Sequence, residues 1–214
     1  MAKLYNDILH YIFQKLNNDG SSLLSCLLVN KQWCELVIPT LWKCPLKYFE
    51  INNERILLNI ILTHLSEKSK QLLIFHNISI ISKEELNKKL SFNYVRFCKH
   101  ICVHNFLLNQ DIYGGFLSVF QIVLLEQEIY KLFVSECSNI RYLDLGEVRH
   151  AIYLFPGAEI CLLNLNEVDC KSCLETSLFY GMAHICKLIE KIYIEFKYDN
   201  IGLAQLIKSQ KRIK

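Results

Sequence analysis

LYNDILHYIFQKLNNDGSSLLSCLLVNKQWCELVIPTLWK, residues 4–43, carries a pattern that reaches beyond generic folding. Ile8, Leu9, Ile12, Phe13 and Leu16 fall on one face of a 3.6-residue helix, with Asn6, Asp7, Gln14 and Lys15 opposite. Asn6 suits the N-cap and Asp7 the positive end of the helix dipole. Residues 17–22 are polar, contain Gly20 and end in Ser21 and Ser22, which reads as a loop closing on the N-cap of a second helix. In that helix Leu23, Leu24, Cys26, Leu27, Leu28 and Val29 leave little polar face, so two sides need cover, one of them open to another chain. Asn30, Lys31 and Gln32 lead into a third run with Trp33, Leu36, Val37, Leu41 and Trp42, expected to break at Pro39 because proline cannot continue a helix turn. Three short helices bury a thin core. Each fully covered Leu or Ile is worth about 1.5–3 kcal/mol, so a wet second helix would forfeit several such contributions. A small helical subdomain with no partner would share the periodicity of any one helix; the joint order of the three is the more specific signal.

That order, LxxxILxxIFxxL followed by a polar loop and SLLSCLLVNKQW, resembles an F-box, the three-helix module that docks on the Skp adaptor of SCF ubiquitin ligases. The resemblance covers about a fifth of the chain. Leu4 stands at the leucine that opens the motif, Ile8, Leu9, Ile12 and Phe13 at its first-helix apolar positions, and Leu28, Val29, Lys31 and Trp33 at its LVxKxW signature. Where the family usually has a proline after the opening leucine and a glutamate two residues further on, this chain has Tyr5 and Asp7. The resemblance implies adaptor contacts from Leu4, Tyr5, Ile8, Leu9, Ile12, Phe13, Leu24, Leu28, Val29, Lys31 and Trp33, and through the adaptor a cullin ligase. CELVIPTLWK is also similar to fungal-type F-box proteins in which a leucine-repeat-like region follows.

Composition bounds the rest. A chain of 214 residues that is 52% hydrophobic can hold one large or two modest domains. Its 24 basic and 21 acidic residues are spread along the length, a balance that requires neither nucleic acid nor an anionic membrane. The longest apolar run, residues 112–125, contains Gln121 and two glycines and falls short of the roughly 18–20 residues a membrane span needs, so it reads as buried core. The start, MAKLYND, lacks the apolar run of a secretory signal. A cytoplasmic or nuclear address is expected, where the ten cysteines are reduced and pack as small hydrophobes.

Residues 46–97 read as a helical connector: ERILLNIILTHLSE with Ile56, Leu57, Ile60, Ile61 and Leu65 on one side, a charged stretch at Glu67–Gln71, and a short helix in KQLLIF. From residue 98 to 214 the period changes. Cys98, Ile101, Val103; Ile140, Leu143, Leu145; Ile160, Leu163, Leu165; and Ile189, Ile192, Ile194 are spaced as LxxLxL or nearly so, with helical runs before the second and fourth. The central positions of the last three lie 20 and 29 residues apart, the span of a leucine-rich repeat, after a gap of 42. The fold class expected is therefore mixed, α/β or α+β: an N-terminal three-helix module over 1–45, a connector over 46–97, and a short, irregular leucine-rich-repeat-like solenoid over 98–214. An unrelated α/β core remains the other reading.

In such strands alternate residues face out. His100, Cys102 and His104, then Tyr142 and Asp144, Leu162 and Asn164, and Lys191, Tyr193 and Glu195 would do so. Of these His100, His104, Tyr142, Asp144, Asn164, Lys191, Tyr193 and Glu195 make a mixed surface suited to a protein target. GLAQLIKSQKRIK repeats the helix that precedes a strand and is expected to cap the last unit.

No metal or cofactor is expected. Cys98, His100, Cys102 and His104 alternate, but same-face neighbours on a strand lie nearly 7 Å apart, too far for all four to reach one zinc at about 2.0–2.3 Å. Cys170 and Cys173 form a lone CKSC with no second pair. No phosphate loop, GxGxxG or GxSxG occurs, Gly114–Gly115 reads as a turn, and the carboxylate pairs Glu84–Glu85 and Glu126 with Glu128 sit in charged runs expected to be exposed. The function expected is target recognition within an SCF-type ligase, without enzymatic chemistry of its own; the alternatives are a repeat-based interaction scaffold with no ligase role, and an enzyme whose site is assembled from dispersed residues.

Overall fold

Side-chain caps set the boundaries of the N-terminal helices. The computed structural model describes residues 6–45, 54–78, 80, 82–102 and 117–213. The expectations for Leu4, Tyr5, Val103, His104, residues 46–53 and Gly114–Gly115 lie outside them. Helix α1 spans Asn6–Lys15, α2 Gly20–Leu27 and α3 Lys31–Leu41. The cap of α2 is Asp19 rather than the serine pair: its carboxylate accepts the Ser22 amide at 3.0 Å and the hydroxyls of Ser22 and Ser21 at 2.6 and 2.8 Å. Those hydrogen bonds, led by the Ser22 hydroxyl, lower the Asp19 pKa from 3.8 to about 2. Asn30 caps α3 by accepting the Trp33 amide at 2.9 Å. Asn6 is already helical, and its side chain accepts from Gln32 at 2.6 Å, which ties the start of α1 to that of α3. Against expectation α3 runs through Pro39. The carbonyl robbed of its partner belongs to exposed Glu35, where water can serve it, and the helix ends two residues later.

The connector holds α4 (Glu54–Thr63), α5 (Glu67–Phe75) and α6 (Lys83–Leu86). The inward face of α4 is Leu57, Leu58, Ile61 and Leu62; of the face expected, Leu57, Ile61 and Leu65 are buried and Ile56 is 54% exposed. The charged stretch Glu67–Gln71 is the first part of α5, which Ser66 caps by accepting the Ser69 amide at 3.1 Å. A 3-10 turn at Val95–Phe97 leads into β1 (His100–Ile101).

There follow α7 (Val119–Glu136), β2 (Tyr142–Asp144), a 3-10 turn at Ile152–Leu154, α8 (Ala158–Cys161), β3 (Glu167–Lys171), α9 (Thr176–Ile185), β4 (Lys191–Glu195) and α10 (Ile201–Lys208). The strands form one parallel sheet in the order β1-β2-β3-β4. Ile101, Leu143, Val168 and Ile192 lie in one row across it. The third strand thus starts later than expected. Ile160 and Leu163 are 66% and 54% exposed, at α8 and the turn after it, whereas Leu165, Val168 and Cys170 are buried. The sequence positions Ile140, Leu165 and Ile189 are then 25 and 24 residues apart, more even than the spacing first read.

One backbone pattern recurs at every strand entry. The Lys43 carbonyl accepts the amides of Lys99 and His100 at 2.9 and 3.1 Å; Lys99 accepts from Arg141 and Tyr142, Arg141 from Asn166 and Glu167, and Asn166 from Glu190 and Lys191. The first rung is therefore laid two residues past the end of α3, and the buried side chains form a single core from Leu9 to Leu206. Across the connector, the Gln121 side chain donates to the His76 carbonyl at 2.9 Å and Asn93 to Glu136 at 2.7 Å. Among the described residues no helix is long and apolar enough to cross a membrane.

Candidate functional site

Packing divides the residues expected at an adaptor surface into two groups. Leu9 and Phe13 are inside, at 1% and 0% exposure, together with Leu23 and Val37, so they shape the trio rather than present a surface. Trp33 is half-buried, its ring edge-on to Phe13 at 5.4 Å. The periodicity placed them correctly on an apolar face but could not divide that face into core and flank. The flank consists of Ile8, Tyr11 and Ile12 on α1 and Leu24, Leu28 and Val29 on and just after α2; Leu28 is 87% and Val29 55% exposed. Lys31 is exposed beside them. Tyr11, at 60%, is the member sequence reasoning missed, although its offset of three from Ile8 would have found it. Single exposed apolar residues are ordinary on protein surfaces; six large ones within residues 8–29 are a surface that needs covering.

The outward face of the sheet has a different chemistry. Its first row runs His100, Tyr142, Glu167, Lys191 and its second includes Asp144, Asp169 and Tyr193. The His100 and Tyr142 rings lie 5.7 Å apart. Lys191 pairs with Glu167 at 2.8 Å, Lys171 with Glu147 at 2.9 Å and Glu195 at 3.6 Å, and Lys197 with Glu195 at 3.4 Å. The Glu167 contact raises the Lys191 pKa, so that lysine is a fixed positive charge. Tyr193 is 48% exposed. Two expected members are misplaced. Asn164 lies in the turn after α8, where Glu167 and Asp169 hold the outward places assigned to Leu162 and Asn164, and Leu162 is buried. Asp144 is 8% exposed and its carboxylate accepts the Gly146 amide at 2.8 Å, a structural task.

Glu126 and Glu128 correct another expectation. Both are buried, at 5% and 3%, because α7 is enclosed on more than one side. Glu128 pairs with Lys131 at 2.6 Å and Glu126 lies 3.5 Å from His150. Burial raises the thiol pKa of Cys102, Cys161, Cys170 and Cys186 to about 12, and pushes those of Cys98 and Cys137 still higher, so these sulfurs stay protonated and unreactive at neutral pH. Among the described residues no three His, Cys, Asp or Glu side chains converge as a metal site.

An apolar flank on a three-helix trio, continuous with a parallel sheet whose outer face is polar, defines a molecule with two surfaces of unlike chemistry. Residues 4–47 match the family model described as F-box-like, so the helical trio is an F-box-like domain. No curated protein and no solved structure matches the chain. F-box domains generally bind Skp adaptors, which suggests an adaptor-binding role in SCF-type assemblies for this one.

Proposed function

We propose that the chain is a target-recognition subunit of an SCF-type ubiquitin ligase, acting in the cytoplasm or nucleus. The F-box-like trio, residues 1–45, holds the Skp adaptor and through it a cullin. The sheet from residue 98 onward presents the target. The observation that carries this reading is the exposed flank of Ile8, Tyr11, Ile12, Leu24, Leu28 and Val29 on an F-box-like domain. Burying each of these against a partner gains about 25 cal/mol per Å² of apolar surface covered.

The sheet serves as a short leucine-rich-repeat-like solenoid. Support comes from the rung repeated at four strand entries and from the 25- and 24-residue spacing of Ile140, Leu165 and Ile189. Beyond α10, Gln210 accepts the Ile189 amide at 3.0 Å and donates to the Cys186 carbonyl at 2.9 Å, the contacts of a polar cap. His100, Tyr142, Lys191, Tyr193 and Glu195, with Glu167 and Asp169, form the target face. The chain performs no bond chemistry of its own; it raises the effective concentration of a target lysine near a charged enzyme held elsewhere in the assembly.

Co-expression with a Skp adaptor tests this. The wild-type chain should retain the adaptor through purification, and Ile8→Asp with Leu28→Asp should lose it while melting normally, since both side chains are exposed. A folded double variant with undiminished retention would refute the ligase reading and leave the repeat scaffold standing.

A further inference from the structure

A cleft of about 560 Å³ opens where the F-box-like trio meets the sheet, lined by His10, Gln14 and Asn17 from α1 and its end, Pro39, Thr40 and Lys43 from α3 and its end, and Arg96, Phe97 and Lys99 from the approach to β1. That volume lies within the range of about 300–1,000 Å³ usual for small-ligand sites. We propose that this cleft binds a compact, multiply charged phosphate ligand.

Charge makes the first argument. Lys43, Arg96 and Lys99 line one cleft, and among the described residues no acidic side chain lines it and no carboxylate pairs with any of the three. Three cations equal the formal excess of the whole chain, +3, whose other basic and acidic residues balance. Elsewhere the lysines facing the sheet are paired with glutamates.

Backbone geometry makes the second. The Lys43 carbonyl accepts the Lys99 and His100 amides at 2.9 and 3.1 Å, so two lysines are clamped side by side at the first rung. Like charges held side by side repel unless a counter-charge sits between them. The negative end of α3, which finishes at Leu41, is equivalent to about half a charge, less than three cations need. Phosphate oxygens answer all of them: the lysines as point charges, and the Arg96 guanidinium as a two-pronged donor whose cation lies 5.2 Å over the Phe97 ring.

Position makes the third. On α1, His10, Gln14 and Asn17 recur at helical spacing on the flank opposite Ile8 and Ile12, with Leu9 and Phe13 between them in the core. The cleft therefore stays open when the apolar flank is covered, and the proposal does not depend on the adaptor reading.

Calorimetric titration of the full chain with sodium tripolyphosphate at low ionic strength tests it. One site per chain is expected, and Lys43→Gln with Arg96→Gln and Lys99→Gln should weaken binding by at least about tenfold, the scale of one lost charge-assisted contact. Lys88→Gln with Lys89→Gln and Lys208→Gln removes the same charge from exposed positions outside the cleft and should change affinity by less than about twofold, since solvent screens distant charges. Because the cleft cations are on the surface and Lys43 uses only its backbone in the rung, the first variant should keep the wild-type melting temperature; if it does not, Lys99→Gln alone reads the same effect. Sedimentation with phosphatidylcholine vesicles carrying phosphatidylinositol bisphosphate separates the sources: cleft-dependent pelleting assigns the phosphate to a headgroup, and its absence beside tripolyphosphate binding assigns it to a soluble ligand. No binding of either probe, or equal losses in the two triple variants, would overturn the proposal.

Discussion

The F-box-like trio and the sheet rest on equally well-buried interiors, but the flank of the one and the outward face of the other differ in chemistry. Phe13 at one end and Phe179 at the other are both fully enclosed. Outside, the trio leaves Leu28 and Val29 bare, while the sheet covers its face with ion pairs such as Lys191 with Glu167 and Lys171 with Glu147. An apolar flank gives up free energy until something covers it, which suits a constant partner. A paired polar face costs little when free and discriminates by complementarity, which suits a partner that comes and goes. The difference between the surfaces fits the proposed division, with an adaptor at the flank and a target at the sheet.

The sharpest way to break this contrast is to ask whether the two regions are one folding unit. Phe13→Ala and Phe179→Ala should each cost about 3–5 kcal/mol, and each should lower a single melting transition, because the Lys43 rung and the continuous core join the regions. Two transitions, one untouched by each variant, would mean that the regions are independent and that the surfaces belong to separate bodies. Differential scanning calorimetry reads this directly.

A smaller effect sharpens the account of the trio. Asp19 has a folded pKa of about 2 against an ordinary 3.8, so its cap stabilises α2 above 3.8 and this contribution is lost as the pH falls through about 2. Asp19→Asn keeps an acceptor for the Ser22 amide but does not titrate. Urea midpoints followed from above 3.8 down to about 2 should fall less steeply in the variant than in the wild type; identical slopes would remove Asp19 from the acid response.

Much of the trio was legible because amphipathic spacing and caps are local. Asn30 and the polar segment before α2 announce helix starts, whereas the cap of α2 is Asp19 instead of a serine and Asn6 lies inside α1 rather than before it. Pro39 misled because the rule against proline in helices is softened when the abandoned carbonyl is exposed and the end is near. In the sheet region the leucine pattern misplaced β3: Ile160, Leu163 and Leu165 match the template better than Leu165, Val168 and Cys170, yet the latter are buried. The missed signal was Cys170, a small hydrophobe that fits where a leucine was sought. On the outward face of the sheet, the places of Tyr142, Lys191, Tyr193 and Glu195 were readable from alternation, whereas Asn164 inherited the error in β3 and Asp144, at the end of β2, holds the Gly146 amide. The burial of Glu126 and Glu128 was not readable at all, since it depends on what packs around α7.

Hydrogen–deuterium exchange of the chain with and without a Skp adaptor tests the central claim most directly. The account predicts that slowed exchange concentrates in α1 and α2 and the residues up to Trp33, with the sheet strands unchanged. Protection confined to the sheet face, or none in the trio at saturating adaptor, would contradict it.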